Sequence, residues 1–79
     1  MKLSIYTMRR TVYEGETSRV TLPTAVGEVT VLDNHEPYVT ILHPGKLRYE
    51  ASGAEQHLSI KGGFLEVREH NEVRVLADE

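Results

Sequence analysis

Asp33-Asn34-His35-Glu36 sets an imidazole between two carboxylates and beside a carboxamide. Such groups serve as general bases or metal ligands when they converge. A nucleophilic site would also need a serine, threonine or cysteine against the histidine, and a metal site would need further ligands on a facing strand. The sequence supplies neither. It has no cysteine, and His43, His57 and His70 fall at separate turns or strands without ligand spacing. Four consecutive loop residues do not close around an ion unaided, so the cluster reads as a loop. In it Asp33 and Asn34 make the turn and Pro37 restarts an extended chain. Glu28, the other candidate carboxylate, follows a glycine at a strand start with no second acid placed across a cleft. Glu14 with Glu16, and Glu66 with Glu69, read as exposed faces or turns. Val26-Gly27 and Gly62-Gly63 lead into no helix and lack the G-x-x-x-x-G-K pattern of a phosphate cradle. No catalytic residue, metal ligand set or cofactor site is assigned.

The elements that must carry this loop alternate with period two. Leu3 and Ile5, Val20 and Leu22, Val29 and Val31, Leu47 and Tyr49, Leu58 and Ile60, Leu65 and Val67, and Val73 and Val75 each mark the apolar face of a short run. Val39 and Ile41 are assigned to the inner face of theirs, which turns Tyr38, Thr40 and Leu42 outward. Such runs are strands buried on one side. Glu14-Gly15-Glu16 and Pro23 to Gly27 are read as breaks, His43-Pro44-Gly45 as a type II turn, Ala51-Ser52-Gly53-Ala54 as a hairpin loop and His70-Asn71 as a polar turn. Gly62-Gly63 marks a bulge or a close backbone approach. No stretch has helical periodicity. The expected fold is all-β, an antiparallel β-sandwich or flattened barrel with eight or nine strands legible from the spacing. Its two sheets would form one domain over residues 1–79.

Composition narrows the function classes. At 79 residues the chain holds one core, with no disulfide to brace it. The net charge is −3 and the nine Lys and Arg are scattered, with only Arg9-Arg10 adjacent, so nucleic acid is not an expected partner. The N-terminus lacks the apolar run of a signal peptide, and nothing approaches the roughly 20 apolar residues of a membrane span. Any link to a membrane would pass through another protein. Outward Tyr38 is an interface candidate, since tyrosine is enriched where proteins meet.

The run from Leu22 to Gly45, LPTAVGEVTVLDNHEPYVTILHPG, resembles the signature of the epsilon subunit of F-type ATP synthases, called delta in mitochondria. Gly62-Gly63-Phe64-Leu65-Glu66-Val67 is similar to that family's Gly-Gly-Phe-x-Glu-Val segment, and Asn71 to Ala77 to its last strand. Tyr13-Glu14-Gly15 matches it upstream. The resemblance implies a β-sandwich of about ten strands at the foot of the rotor's central stalk. One side would lie against the gamma subunit and one end on the c-ring. It further implies a ring-facing surface containing Glu28, Asp33, Asn34 and His35, and a gamma-facing surface containing Thr7 and Thr40. Tyr38 and Leu42 join the gamma-facing set because the alternation turns them outward. The implied role is non-catalytic, coupling gamma rotation to the ring in proton- or sodium-driven ATP synthesis at the cytoplasmic face of the bacterial inner membrane.

Three positions depart from the family pattern. Thr30 replaces a usual glycine, Asp33 a usual proline, and Glu36-Pro37 a frequent Ala-Pro. The added charge of Asp33 and Glu36 implies basic loops on the ring. Nothing follows Glu79, where most members continue into a two-helix hairpin, so the sequence is either an isolated domain or a short variant. Either way it is expected neither to inhibit by helix insertion nor to bind nucleotide. A homodimer through outward Tyr38 and Leu42 is an expectation for the domain alone. The alternatives weighed are a stand-alone β-sandwich recognising a sugar or anion through His35, Asp33 and Tyr38, and a hydrolase using His35.

Overall fold

One long β-hairpin, folded over at its waist, organises the protein. The computed structural model describes all of residues 1–79 and contains nine strands and no helix. They are β1 (Lys2–Tyr6), β2 (Thr11–Glu16), β3 (Arg19–Thr24), β4 (Gly27–Leu32), β5 (Tyr38–Leu42), β6 (Gly45–Ala51), β7 (Ala54–Ile60), β8 (Gly62–Arg68) and β9 (Glu72–Asp78). β6 pairs with β7 across a two-residue turn in which Ser52 and Gly53 both have positive φ, the I′ geometry that matches strand twist. The same two arms continue as β5 and β8, which pair from Leu42↔Gly63 to Tyr38↔Val67. Between the halves lie only His43-Pro44 on one arm and Lys61 on the other. The hairpin bends there, so its β5-β8 part lies in one half of a single curled nine-stranded sheet, where two separate sheets were expected, and its β6-β7 part lies in the other half.

Glycines make the corner possible. Gly63 has φ 137°, and a Cβ on it would run into the Leu76 carbonyl oxygen of β9. A Cβ on Gly45 would sit 3.1 Å from the Pro23 ring of β3. The close backbone approach read from Gly62-Gly63 is therefore present. The expected type II turn at His43-Pro44-Gly45 is not: Pro44 bends the chain and Gly45 already opens β6.

Around this hairpin the strands run β2-β1-β9-β8-β5 in one half and β4-β3-β6-β7 in the other, joined also where Thr24 pairs with Leu42. Neighbours are antiparallel except β1 and β9, which run parallel from Lys2↔Glu72 to Tyr6↔Leu76. Leu3, Ile5, Leu65, Val67, Val73 and Val75 of the first half and Val20, Leu22, Val31, Leu47, Tyr49 and Ile60 of the second form a single buried cluster. The apolar phases expected for these runs are the buried ones, and Tyr49 is core as anticipated.

Several expectations are corrected. The nine strands agree with the eight or nine legible from the spacing and are close to the ten or so that the resemblance implies, but Glu14-Gly15-Glu16, taken for a break, lies inside β2, where Gly15 opposes Leu3. A Cβ on Gly15 would meet the Tyr13 ring, whose hydroxyl donates to the Glu16 carbonyl at 2.7 Å. The facing of β5 is reversed. Leu42 is buried, Tyr38 is half-buried against the core and Thr40 is half-buried, while Val39 and Ile41 are 68% and 59% exposed. The reason is register. Thr40 opposes Leu65 and Tyr38 opposes Val67, and opposed residues share a face, so the buried phase of β8 fixes the phase of β5. Leu42 thus leaves the gamma-facing set, and the dimer face drawn through Tyr38 and Leu42 goes with it.

Leu42→Ala should cost about 2–5 kcal/mol as a core truncation. Ile41→Ala, one residue away, should change stability by no more than about 0.5 kcal/mol as a surface change. Urea unfolding of the two variants checks the reversed facing directly.

Candidate functional site

Register assigns the candidate residues to two ends of the molecule. One end carries Met1, the Thr17-Ser18 link, the 33–37 loop, the Ser52-Gly53 turn and the 69–71 turn. The other carries the Thr7–Arg10 loop, the Ala25-Val26 turn, the 43–44 bend and Lys61.

At the first end, which we call the tip, the 33–37 loop leaves β4 through Asn34, whose φ of 61° is a left-handed conformation that asparagine tolerates. Its backbone N–H donates to Asn71 Oδ1 at 2.7 Å, and Asn71 Nδ2 donates to Asp33 Oδ1 at 3.4 Å. The α-ammonium of Met1 donates to the same Asp33 oxygen and to the Thr17 carbonyl at 2.9 Å, with a Glu16 carboxylate oxygen 3.4 Å away. The α-ammonium, then Asn71, hold the Asp33 carboxyl below its ordinary value, and Asp33 in turn raises the amine against its burial. The loop is tied by side-chain and terminal hydrogen bonds that reach Met1 and the 69–71 turn.

His35 does not assemble a reaction centre. It is exposed, its Nδ1 donates to the neighbouring Glu36 carbonyl at 2.7 Å, and its ring lies 6.0 Å from that of Tyr38. No hydroxyl or carboxylate bonds to it, so neither a nucleophile nor an orienting acid is in place. No group of three or more His, Asp or Glu side chains converges as a metal site would require.

Glu28 stands apart from the other three ring-facing candidates. It lies five residue steps before Asp33 along β4, about 17 Å at strand rise. It pairs with Arg48 at 3.2 Å on the outer face of the β4-β3-β6-β7 half. There Glu55 also receives Arg19 at 3.7 Å, Arg48 at 3.9 Å and His57 at 3.2 Å. This face is ionic. The exposed carboxylates hold each other's partners in place more than they add stability. Thr7, at the second end, spends its hydroxyl within its own loop, accepting from the Arg9 and Arg10 N–H groups at 3.2 Å each. Arg10 forks onto Glu79 at 2.9 and 3.2 Å.

The outer face of the other half is apolar, a surface that the sequence reading did not identify. Ile41 of β5 opposes Phe64 of β8, which opposes Leu76 of β9, which in turn neighbours Tyr6 of β1. Val39 extends the row along β5. Phe64 and Leu76 are 54% and 50% exposed, and together with Tyr6 and Met8 they line a shallow hollow. Exposed apolar residues that adjoin in this way mark contact surfaces, whereas scattered ones do not. A signal was available in the sequence, because Phe64 falls in the polar phase of Glu66 and Arg68, and Leu76 in that of Glu72 and Arg74.

Comparison with known proteins agrees over the whole chain. The family model for the ATP synthase delta/epsilon chain β-sandwich domain matches residues 1–79. Curated relatives include the ATP synthase epsilon chain of Anaeromyxobacter sp. (strain Fw109-5), 45% identical over 78 residues, and that of Herpetosiphon aurantiacus, 41% identical over 78 residues. Each alignment covers 99% of this chain but only 58% and 57% of the relative, so the chain spans little more than half their length. Among solved structures, a chain of the Euglena gracilis mitochondrial ATP synthase (OSCP/F1/c-ring) superposes with a TM-score of 0.89 at 30% identity, covering 98% of this chain and 49% of that one. A chain of the Tetrahymena thermophila mitochondrial ATP synthase central stalk/c-ring gives 0.85 at 19% identity, covering 100% and 63%, a likeness of fold.

Asn71→Ala removes both the acceptor of the Asn34 N–H and a donor to Asp33. With a net hydrogen bond worth about 1 kcal/mol, the Asn34 amide should exchange with solvent about fivefold faster in the variant. Hydrogen exchange read residue by residue checks this.

Proposed function

This chain belongs to the ATP synthase delta/epsilon β-sandwich family, and on that premise we propose that it is a non-catalytic part of the rotor, coupling the gamma subunit to the c-ring. The complex it would serve makes ATP from a proton or sodium gradient. In a bacterium like those of the curated relatives, it would lie peripherally at the cytoplasmic face of the inner membrane. The work asked of the domain is mechanical: it must present two surfaces at a fixed angle, and no bond need form or break in it.

The observation that carries the reading is the division of the surface into an apolar face, an ionic face and a tethered polar tip. A partner subunit that stays attached throughout rotation needs desolvated apolar contacts at the centre of its interface. The row Val39, Ile41, Phe64 and Leu76 supplies them, so we assign the gamma contact to it. Thr7 is at its rim, and Tyr38 and Thr40 support β5 from the core side. Each such side chain contributes about 1.5–3 kcal/mol when fully buried, and micromolar association needs about 8 kcal/mol in total. A few central contacts with a polar rim therefore reach the required scale. The tip, with Asn34, His35 and Glu36 exposed, suits the polar loops of a ring. Asp33 supports the tip from within, its charge facing Met1. Glu28, engaged with Arg48 on the ionic face, is assigned no part in the ring contact.

Phe64→Asp should weaken binding to purified gamma by about 30-fold or more, as loss of a central contact does, without lowering the melting temperature. Glu55→Gln on the ionic face should leave binding unchanged within about twofold. Equal effects of the two in calorimetric titration would overturn the assignment of the apolar face. For the tip, Glu36→Gln should flatten the ionic-strength dependence of binding to the c-ring. An unchanged salt profile would remove charge from that contact.

A further inference from the structure

The α-amino group of Met1 is as deeply involved in the tip as any side chain. Met1 is 5% exposed, and its backbone is pinned on both sides, since its carbonyl accepts from the Thr17 N–H and the next residue's N–H donates to the Asn71 carbonyl, both at 3.0 Å. An ammonium carries three N–H donors. Here they face three acceptors from two segments: the Glu16 carboxylate and the Thr17 carbonyl where β2 ends, and the Asp33 carboxylate after β4. Those carboxylates are the titratable groups that face the amine, and the amine and neutral Asn71 are the groups that hold Asp33. No other charge on the molecule holds the 33–37 loop to the body: His35 bonds only to its neighbour and Glu36 makes no ion pair.

We infer that, in a chain beginning at this Met1, the free α-amine is a positioning group for the 33–37 loop, and that an acyl cap on it, formyl or acetyl, releases the loop from the sandwich. An acylated nitrogen keeps one N–H and no charge. It can still donate to the Thr17 carbonyl, but it leaves the Asp33 and Glu16 carboxylates facing each other across an uncharged, buried group. The modification is thus read out about thirty residues away in sequence, at the loop, while the core strands stay intact.

The pH behaviour has a defined sign. The amine's folded value lies above its ordinary 8.0, so its contribution is whole below 8.0 and is lost as pH rises through the raised value. The Asp33 value lies below its ordinary 3.8, so its contribution is present above 3.8 and is lost as pH falls through the lowered value. The tether is complete across neutral pH. A protonated, buried amine is also a poor nucleophile, so a cap must be added before the chain folds, by attack of the free-base amine on an activated acyl ester or thioester that loses its alcohol or thiol, with the amine proton passing to solvent.

The test compares three forms of the 79-residue chain: free amine, N-acetyl, and a form extended by Gly-Ser ahead of Met1. Amide exchange and nitrogen NMR of the α-amine are read in each. In the free-amine form the amine titrates above 8.0. In the acetylated and extended forms the Asn34 amide exchanges at least about tenfold faster, the scale of one lost charge-assisted hydrogen bond, while Leu65 and Val75 amides are unchanged. Asp33→Asn with a free amine reproduces the loosening, and acetylating that variant adds less than about twofold, because the two changes remove one interaction. Should the acetylated chain fail to fold, the Asp33→Asn comparison and the amine titration decide alone. An amine titrating at or below 8.0, or an Asn34 amide indifferent to both acetylation and Asp33→Asn, overturns the inference. Neither readout depends on which partner the tip meets.

Discussion

The structure depends on one backbone constraint, the close passage of Gly63 over the Leu76 carbonyl where the long hairpin folds from one half of the sandwich into the other. With any side chain there, β8 could not approach β9 while also leaving the corner toward β7. The core follows from that passage. Because β5 and β6 are one arm and β7 and β8 the other, each half of the molecule receives two strands already in register with two strands of the opposite half. Leu47, Tyr49 and Ile60 then meet Leu65, Val67 and Leu42 without any loop having to search for them. β3 seals the corner, with Thr24 against Leu42 and the Pro23 ring against Gly45.

The sequence was legible where only one phase of a strand was apolar. Leu65 and Val67 alternate with Glu66 and Arg68, and Val73 and Val75 with Glu72 and Arg74, so the buried set is unambiguous. β5 reads Tyr-Val-Thr-Ile-Leu, with apolar bulk in both phases, and local alternation cannot choose between them. The choice is made by pairing with β8, a contact distant in sequence. β2 was missed for a related reason. Its Glu14-Gly15-Glu16 carries turn residues, and it is a strand because β1 pairs with it as an edge, where polar side chains are tolerated and Gly15 makes room for the Tyr13 ring. The loop 33–37 was recognisable as a turn from Asp33, Asn34 and Pro37. Its anchors were not, because an α-amine carries no letter and Asn71 lies 37 positions from Asn34.

The surfaces follow from how little material there is. A 79-residue sandwich buries only 19 residues, so every strand must spend its other phase on the outside. One outer face spends it on carboxylates and guanidiniums arranged as Glu28, Arg48, Glu55 and Arg19, which keeps that side hydrated. The other spends it on Ile41, Phe64 and Leu76, which water covers at a cost that a partner can relieve. Glu28 and Asp33, adjacent as candidates in the sequence, serve different faces because β4 carries them to opposite ends.

The parallel pairing of β1 with β9 has a consequence for biosynthesis. β1 takes its place between β2 and a strand some 70 residues later, so that half of the sandwich lacks an interior strand until β9 has been made. Loop closure over that span is slow relative to a local hairpin. Until it happens, Leu3 and Ile5 sit on a two-stranded ribbon with both edges bare, the form in which such ribbons pair with the wrong neighbour. Completion of this half of the sheet therefore waits on β9, the strand most distant in sequence from the one it must pair with.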